Sequence, residues 1–174
     1  MEHQNPVARP SQSGLSKFNA LISRYAMYIG VAGLLCIVAM VVYQVFARYV
    51  LNHPPTWAES LALVFVLYVT LFGAAAGVRD AGHIGMESLL VLLPEKIRNQ
   101  IELLIHVLVI VFALCMVYNG LILGAQANYK IPNLPFNEWL RYVPLVLGGI
   151  MIILFSIEHI IAAIKGEEVI PSWH

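Results

Sequence analysis

Charge is scarce in this chain. Of its 174 residues, 11% are Asp, Glu, Lys or Arg, against about 25% in an ordinary soluble domain. So few charges cannot clothe a water-facing surface. With 60% hydrophobic residues and a mean hydropathy of +0.78, the chain belongs in a bilayer. Net charge is zero and no dense basic tract occurs, which excludes nucleic acid as a partner. Cysteine is nearly missing as well. Cys36 and Cys115 both fall in apolar runs; two cysteines make no disulfide framework, and both are expected as buried apolar thiols. No nucleophile with a base and no tight metal-ligand motif is present, so the reading is of a non-enzyme that binds no cofactor.

What is present is long uncharged runs. Ala26 to Ala47, Ser60 to Val78, Leu103 to Tyr129 and Tyr142 to Ile157 carry no Asp, Glu, Lys or Arg, and the last continues in apolar character to Ile164 past Glu158 and His159. A spanning helix needs roughly 20 residues for a core about 30 Å thick. The fold class is therefore an all-α integral membrane protein with four transmembrane helices, at about 25–47, 58–78, 103–127 and 142–163. Residues 1–14 read as a disordered tail, 15–165 as the membrane domain and 166–174 as a C-terminal tail. If the N-terminus is cytoplasmic, Arg9, Lys17, Arg24, Arg79, Lys96, Arg98 and Lys165 lie inside, and Arg48, Lys130 and Arg141 outside. That bias favours both termini in the cytoplasm. The first run is too long for the apolar part of a signal peptide and has no small-x-small cleavage site after it.

The connections carry their own patterns. Leu15, Phe18, Ile22 and Tyr25 fall at helical spacing, so helix 1 is expected to begin at the membrane surface on that apolar stripe. Met86, Leu89, Leu90 and Leu93 form a second stripe, predicting a short interfacial helix over about 85–93, after a Gly82 cap and before Pro94 in the first turn of helix 3. Trp139 and Tyr142 are placed as interfacial anchors in a Pro- and Asn-rich loop. Small residues mark close helix contacts: Gly73 with Gly77, Gly120 with Gly124, and the Gly148-Gly149 pair. These serve either packing inside the four-helix unit or contact with another subunit.

Two polar constellations stand out. Between the first two spans lies RYVLNHPPTWAES, in which Pro54-Pro55 forbids a continuous helix. Thr56-Trp57-Ala58-Glu59 fits a capping box, with Thr56 capping and Glu59 reaching back. An ion pair from Glu59 to Arg48 would clamp helices 1 and 2 as well. The second constellation, Glu102, His106, Glu158 and His159, is expected at one depth on antiparallel helices 3 and 4, as a hydrogen-bonded cluster tying that hairpin together. Its alternative is a haem held between His106 and His159. His83 is read as a residue at the carbonyl end of helix 2, where a partly charged imidazole is favoured.

The stretch FARYVLNHPPTWAESLALVFVLYVTLFGAAAGVRDAGHIGMESL resembles the small membrane subunit of tripartite ATP-independent periplasmic (TRAP) transporters, of DctQ or SiaQ type. The residues that carry the likeness are Arg48, Tyr49, Asn52, Pro55, Trp57, Ala58, Glu59, Gly82, His83, Ile84 and Glu87. A second match runs through Leu134, Pro135, Trp139, Tyr142 and Pro144. Ser60 stands where many members have a second glutamate. The resemblance implies a scaffold subunit in the bacterial inner membrane, paired with a large DctM- or SiaM-type elevator subunit that binds substrate and sodium. A periplasmic substrate-binding protein would deliver organic acids of the C4-dicarboxylate or sialic acid class. It further implies subunit-interaction or structural roles for Arg48, Tyr49, Asn52, Trp57, Glu59, Gly73, Gly77, His83, Glu87 and Trp139. The residues themselves agree with a scaffold: no Lys or Arg and no proline interrupts mid-membrane, where a carboxylate carrier would use them. A self-sufficient homo-oligomeric transporter or channel is the alternative.

Overall fold

A computed structural model describes residues 14–53, 55–80 and 95–165. The expected tails, the interfacial helix over 85–93, Gly82, His83, Glu87 and Pro94 lie outside the described residues, as does the side chain of Glu102. The described chain forms four long helices: α1 (Gly14–Tyr49), α2 (Thr56–Asp80), α3 (Glu95–Gln126) and α4 (Val143–Lys165). A short 3₁₀ helix, η1 (Glu138–Arg141), precedes α4. All four are long and apolar enough to cross a bilayer. Each expected span falls inside one of them, up to a residue at the ends, and α3 is one unbroken 32-residue helix, about 48 Å long.

The helices do not close into a bundle. α1 packs along α2, α2 along α4, and α4 along α3; α1 touches α4 only lightly, and α1 and α3 share no comparable packing. The spatial order is a row, α1–α2–α4–α3. We call the end holding the start of α1 and the end of α2 basal, and the opposite end apical. The core is correspondingly small, centred on Ala75 of α2, Ala113 of α3, and Ile152 and Phe155 of α4. In lipid this suffices, because apolar surface left facing acyl chains costs nothing and helix contacts rest on close packing.

On the first turns of α1, Phe18 and Tyr25 point outward, as a stripe that meets the membrane surface should, while Ile22 packs against the core and Asn19, Ser23 and Ala26 are buried. The thiols differ from expectation: Cys36 and Cys115 are both exposed on the row's surface, because apolar side chains facing lipid need no protein cover.

Glycine sets the closeness of two contacts. A Cβ at Gly149 would stand 2.7 Å from Val117 Cγ2 and 3.1 Å from the Ala113 carbonyl, and one at Gly120 would stand 2.8 Å from Val146 Cγ2. The Gly120/Gly124 and Gly148-Gly149 signals are thus spent inside the unit, joining α3 to α4 and, through Gly148 on Leu71, α4 to α2. The linker from α3 is pinned by Ile131 N–H to the Phe136 carbonyl (2.9 Å) and Glu138 N–H to the Tyr129 carbonyl (2.8 Å). The Tyr68 hydroxyl donates to the Leu140 carbonyl at 3.1 Å, fastening η1 to α2.

Candidate functional site

The basal end concentrates the buried charge of the described residues. Arg79, in the last turn of α2, presents its guanidinium fork to Glu158 of α4: Nε to Oε2 and Nη2 to Oε1, both 3.2 Å. A two-pronged pair of this kind fixes direction as well as distance. The third nitrogen, Nη1, donates to Asp80 Oδ1 at 3.0 Å. Nη2 also reaches the Ser16 carbonyl of α1 at 3.4 Å. The side chains of Arg79, Asp80 and Glu158 are 0%, 4% and 5% exposed, so these contacts form away from water.

α1 closes the arrangement from the other side. Asn19 Nδ2 donates to Glu158 Oε2 at 2.8 Å, and the Ser23 hydroxyl donates to Asp80 Oδ2 at 2.8 Å. Asn19 and Ser23 are four residues apart, one turn of the same face. Helix α3 enters through a ring: His106 stacks on His159 with centroids 4.8 Å apart and planes 7° from parallel. His159 Nε2 lies 3.0 Å from the Arg79 carbonyl. A carbonyl can only accept, so Nε2 carries the hydrogen.

The expected tie between α3 and α4 is therefore present in the His106–His159 stack, but Glu158 turns the other way, to α2 and α1. One cluster joins all four helices. Arg79, Asp80, Asn19 and Ser23 were not anticipated as its members. The available signals were the Arg-Asp pair that ends an apolar run and two small polar residues one turn apart just before one. The two imidazoles lie face to face, with centroids 4.8 Å apart, rather than opposed across a gap.

The apical corner between α1 and α2 is built differently. Arg48 and Glu59 are both exposed, and no ion pair or side-chain hydrogen bond joins either to any described residue. The expected clamp is absent because water solvates both charges there at no cost. The capping box is not formed either. Thr56 is already helical, and the helix opens with the Pro55 carbonyl accepting from Ala58 N–H at 3.1 Å. What shapes the corner is Asn52. Its φ of 51° is left-handed, and His53 N–H donates to the Ala47 carbonyl at 3.2 Å. This bond reaches six residues back, one more than a Schellman closure, and Asn52 supplies the positive φ that lets the chain fold over the helix end. Trp57 then leans on Tyr43 of α1, ring centroids 6.2 Å apart. Tyr49 is exposed, as is Trp139 on η1.

Gly73 and Gly77 of α2 face open space: nothing lies within 4 Å of where a Cβ would stand on either. Two grooves open elsewhere. One of about 500 Å³ lies between α1 and α2 under Phe136 and Leu140, and one of about 420 Å³ lies beside Gly120 and Gly124. Neither is lined by a charged residue, so neither offers an organic acid a cation.

Comparison with known proteins gives a consistent picture. Residues 37–166 match the family described as tripartite ATP-independent periplasmic transporters, DctQ component. The chain is 26% identical over 154 residues to the sialic acid TRAP transporter small permease protein SiaQ of Vibrio cholerae, covering 87% of this chain and 88% of that protein. It is 29% identical over 96 residues to the C4-dicarboxylate TRAP transporter small permease protein DctQ of the same organism, covering 55% of this chain and 39% of the other. The sialic acid TRAP transporter permease protein SiaT of Haemophilus influenzae is 25% identical over 153 residues, 87% of this chain but 25% of that longer one.

Proposed function

Because the chain belongs to the DctQ component family of TRAP transporters, and is a multi-pass small permease subunit rather than an enzyme, we propose that it is the stationary scaffold beside a large permease subunit that carries the substrate. One observation bears most of this reading. Among the described residues the one buried cation, Arg79, is already held by two carboxylates. An organic acid entering between the described helices would find no buried cation free to receive it.

The remaining assignments rest on that reading. The basal end is cytoplasmic, following the Lys and Arg distribution, and the apical corner with Arg48 and Glu59 is periplasmic. Sodium coupling belongs to the large subunit. A periplasmic substrate-binding protein delivers an organic acid, of the sialic acid or C4-dicarboxylate class named for the relatives. Arg48, Glu59 and the exposed aromatic residues of the apical end are available to help dock it. The same small subunit chemistry serves relatives of both substrate classes, as expected if selectivity lies on the other chains.

The test is reconstitution. This chain alone in liposomes should show no saturable uptake of a sialic acid or a C4-dicarboxylate. Uptake should appear when the large subunit and the binding protein are added with a sodium gradient. Flux by the chain alone would end the scaffold reading in favour of a self-sufficient carrier.

A further inference from the structure

Asn119 is a polar side chain that neither the fold nor the basal cluster uses. It lies on α3 within the apolar span Leu103–Gln126 and is exposed. The helix end is seven residues on, at Gln126, which places Asn119 about 10 Å inside it. Its Nδ2 donates to the Cys115 carbonyl one turn back, at 2.8 Å. Among the described residues no donor reaches its Oδ1. Lipid tails supply none, and an amide carbonyl stranded in hydrocarbon is costly.

The surroundings of Asn119 have the period of a helix seam. Alternate steps of four and three through it give Leu108, Phe112, Cys115, Asn119, Ile122 and Gln126, and each is exposed. That is the 3.5-residue repeat with which two helices keep one seam in register at about 20°. Ala113, Gly120 and Gly124, which pack on α4, occupy the other side of α3. α3 is also the end of the row, with α4 as its principal neighbour.

Resting on the small-subunit reading above, we propose that this stripe receives a transmembrane helix of the large permease subunit, which presents a hydrogen-bond donor to Asn119 Oδ1. Two observations choose that occupant over lipid and over a second copy. Lipid leaves the Asn119 carbonyl unsatisfied at its depth in the span. The SiaT permease carries a segment matching this chain as 25% of a longer polypeptide, so a unit of this kind is covalently joined to further permease sequence there. Asn119 then acts as register-setting glue in an otherwise apolar seam.

The experiment uses the full-length chain, tagged and co-expressed with its large permease subunit, purified in mild detergent. Capture of the large subunit by the wild type tests the small-subunit reading itself; no capture sinks that reading. Given capture, Asn119→Leu should weaken the complex about three- to fifteenfold, the range of single interhelical hydrogen bonds in membranes, and Asn119→Gln should restore most of it. Undiminished capture by Asn119→Leu overturns the stripe while leaving the small-subunit reading intact. A benzophenone side chain in place of Phe112 supplies a readout independent of Asn119→Leu folding. Illumination should give an adduct of the small and large subunits. An adduct of two small subunits, or adducts with lipid alone, overturns the proposal.

Discussion

The two ends of the row treat charge in opposite ways. At the basal end Arg79, Asp80 and Glu158 are buried and interlocked with groups from every helix. At the apical corner Arg48 and Glu59 are exposed and pair with no described residue. The difference teaches that a charge flanking a membrane span is not by itself a clue to an ion pair. Pairing is compelled only where burial removes the alternative of water. The basal cluster holds the fold, while the apical corner is left available for contacts outside the chain.

The comparison can be broken most directly at Arg79. Arg79→Ala strands two buried carboxylates and should cost about 3–5 kcal/mol, enough to abolish a folded subunit in detergent. Adding Glu158→Ala should cost less than the sum of the two single changes. Additive losses in a denaturation series would show that the two residues are not partners. A smaller effect is expected at His159. His159→Ala removes the ring stack and the N–H donor to the Arg79 carbonyl, about 1–3 kcal/mol, and should loosen α3 first. Faster hydrogen exchange at the basal turns of α3 than of α2 is the measurement, and uniform exchange would contradict it.

At the apical corner the backbone, not the charge, should matter. Asn52→Val forces a β-branched residue into left-handed geometry at about 1–2 kcal/mol, whereas Asn52→Gly should be neutral within a few tenths. Equal losses would mean that the Asn52 side chain is the contributor. Smallest of all, Arg48→Ala and Glu59→Ala should each move stability by less than about 0.5 kcal/mol. We expect them instead to lower complex yield or transport, with substrate preference unchanged. A stability loss shared non-additively between the two would restore the apical clamp.

Sequence made the four spans legible because the hydrophobic signal is continuous over twenty or more residues and the bilayer sets the length. The closeness of α3 and α4 was legible in Gly120, Gly124, Gly148 and Gly149. The depth match of His106 with His159 was legible because hairpin geometry aligns positions counted from a loop. The direction in which Glu158 turns was not, because α2 and α4 are not consecutive and nothing local says they are neighbours. Asn52 was picked out by resemblance without its reason, since a positive φ is a property of the folded turn. Burial of Cys36 and Cys115 follows from a rule made for water, and the row arrangement leaves little interior to fill.

The Arg79–Glu158 contact joins residues 79 positions apart, and Asn19 to Glu158 spans 139. Synthesis runs from α1 to α4, so the first hairpin is made with only one of Arg79's two carboxylates, Asp80, and without Glu158. A guanidinium fork left half-filled favours water over hydrocarbon. The last helix supplies the remaining acceptor, so completion of the chain secures its beginning, and a product truncated before α4 would keep a half-sheltered arginine.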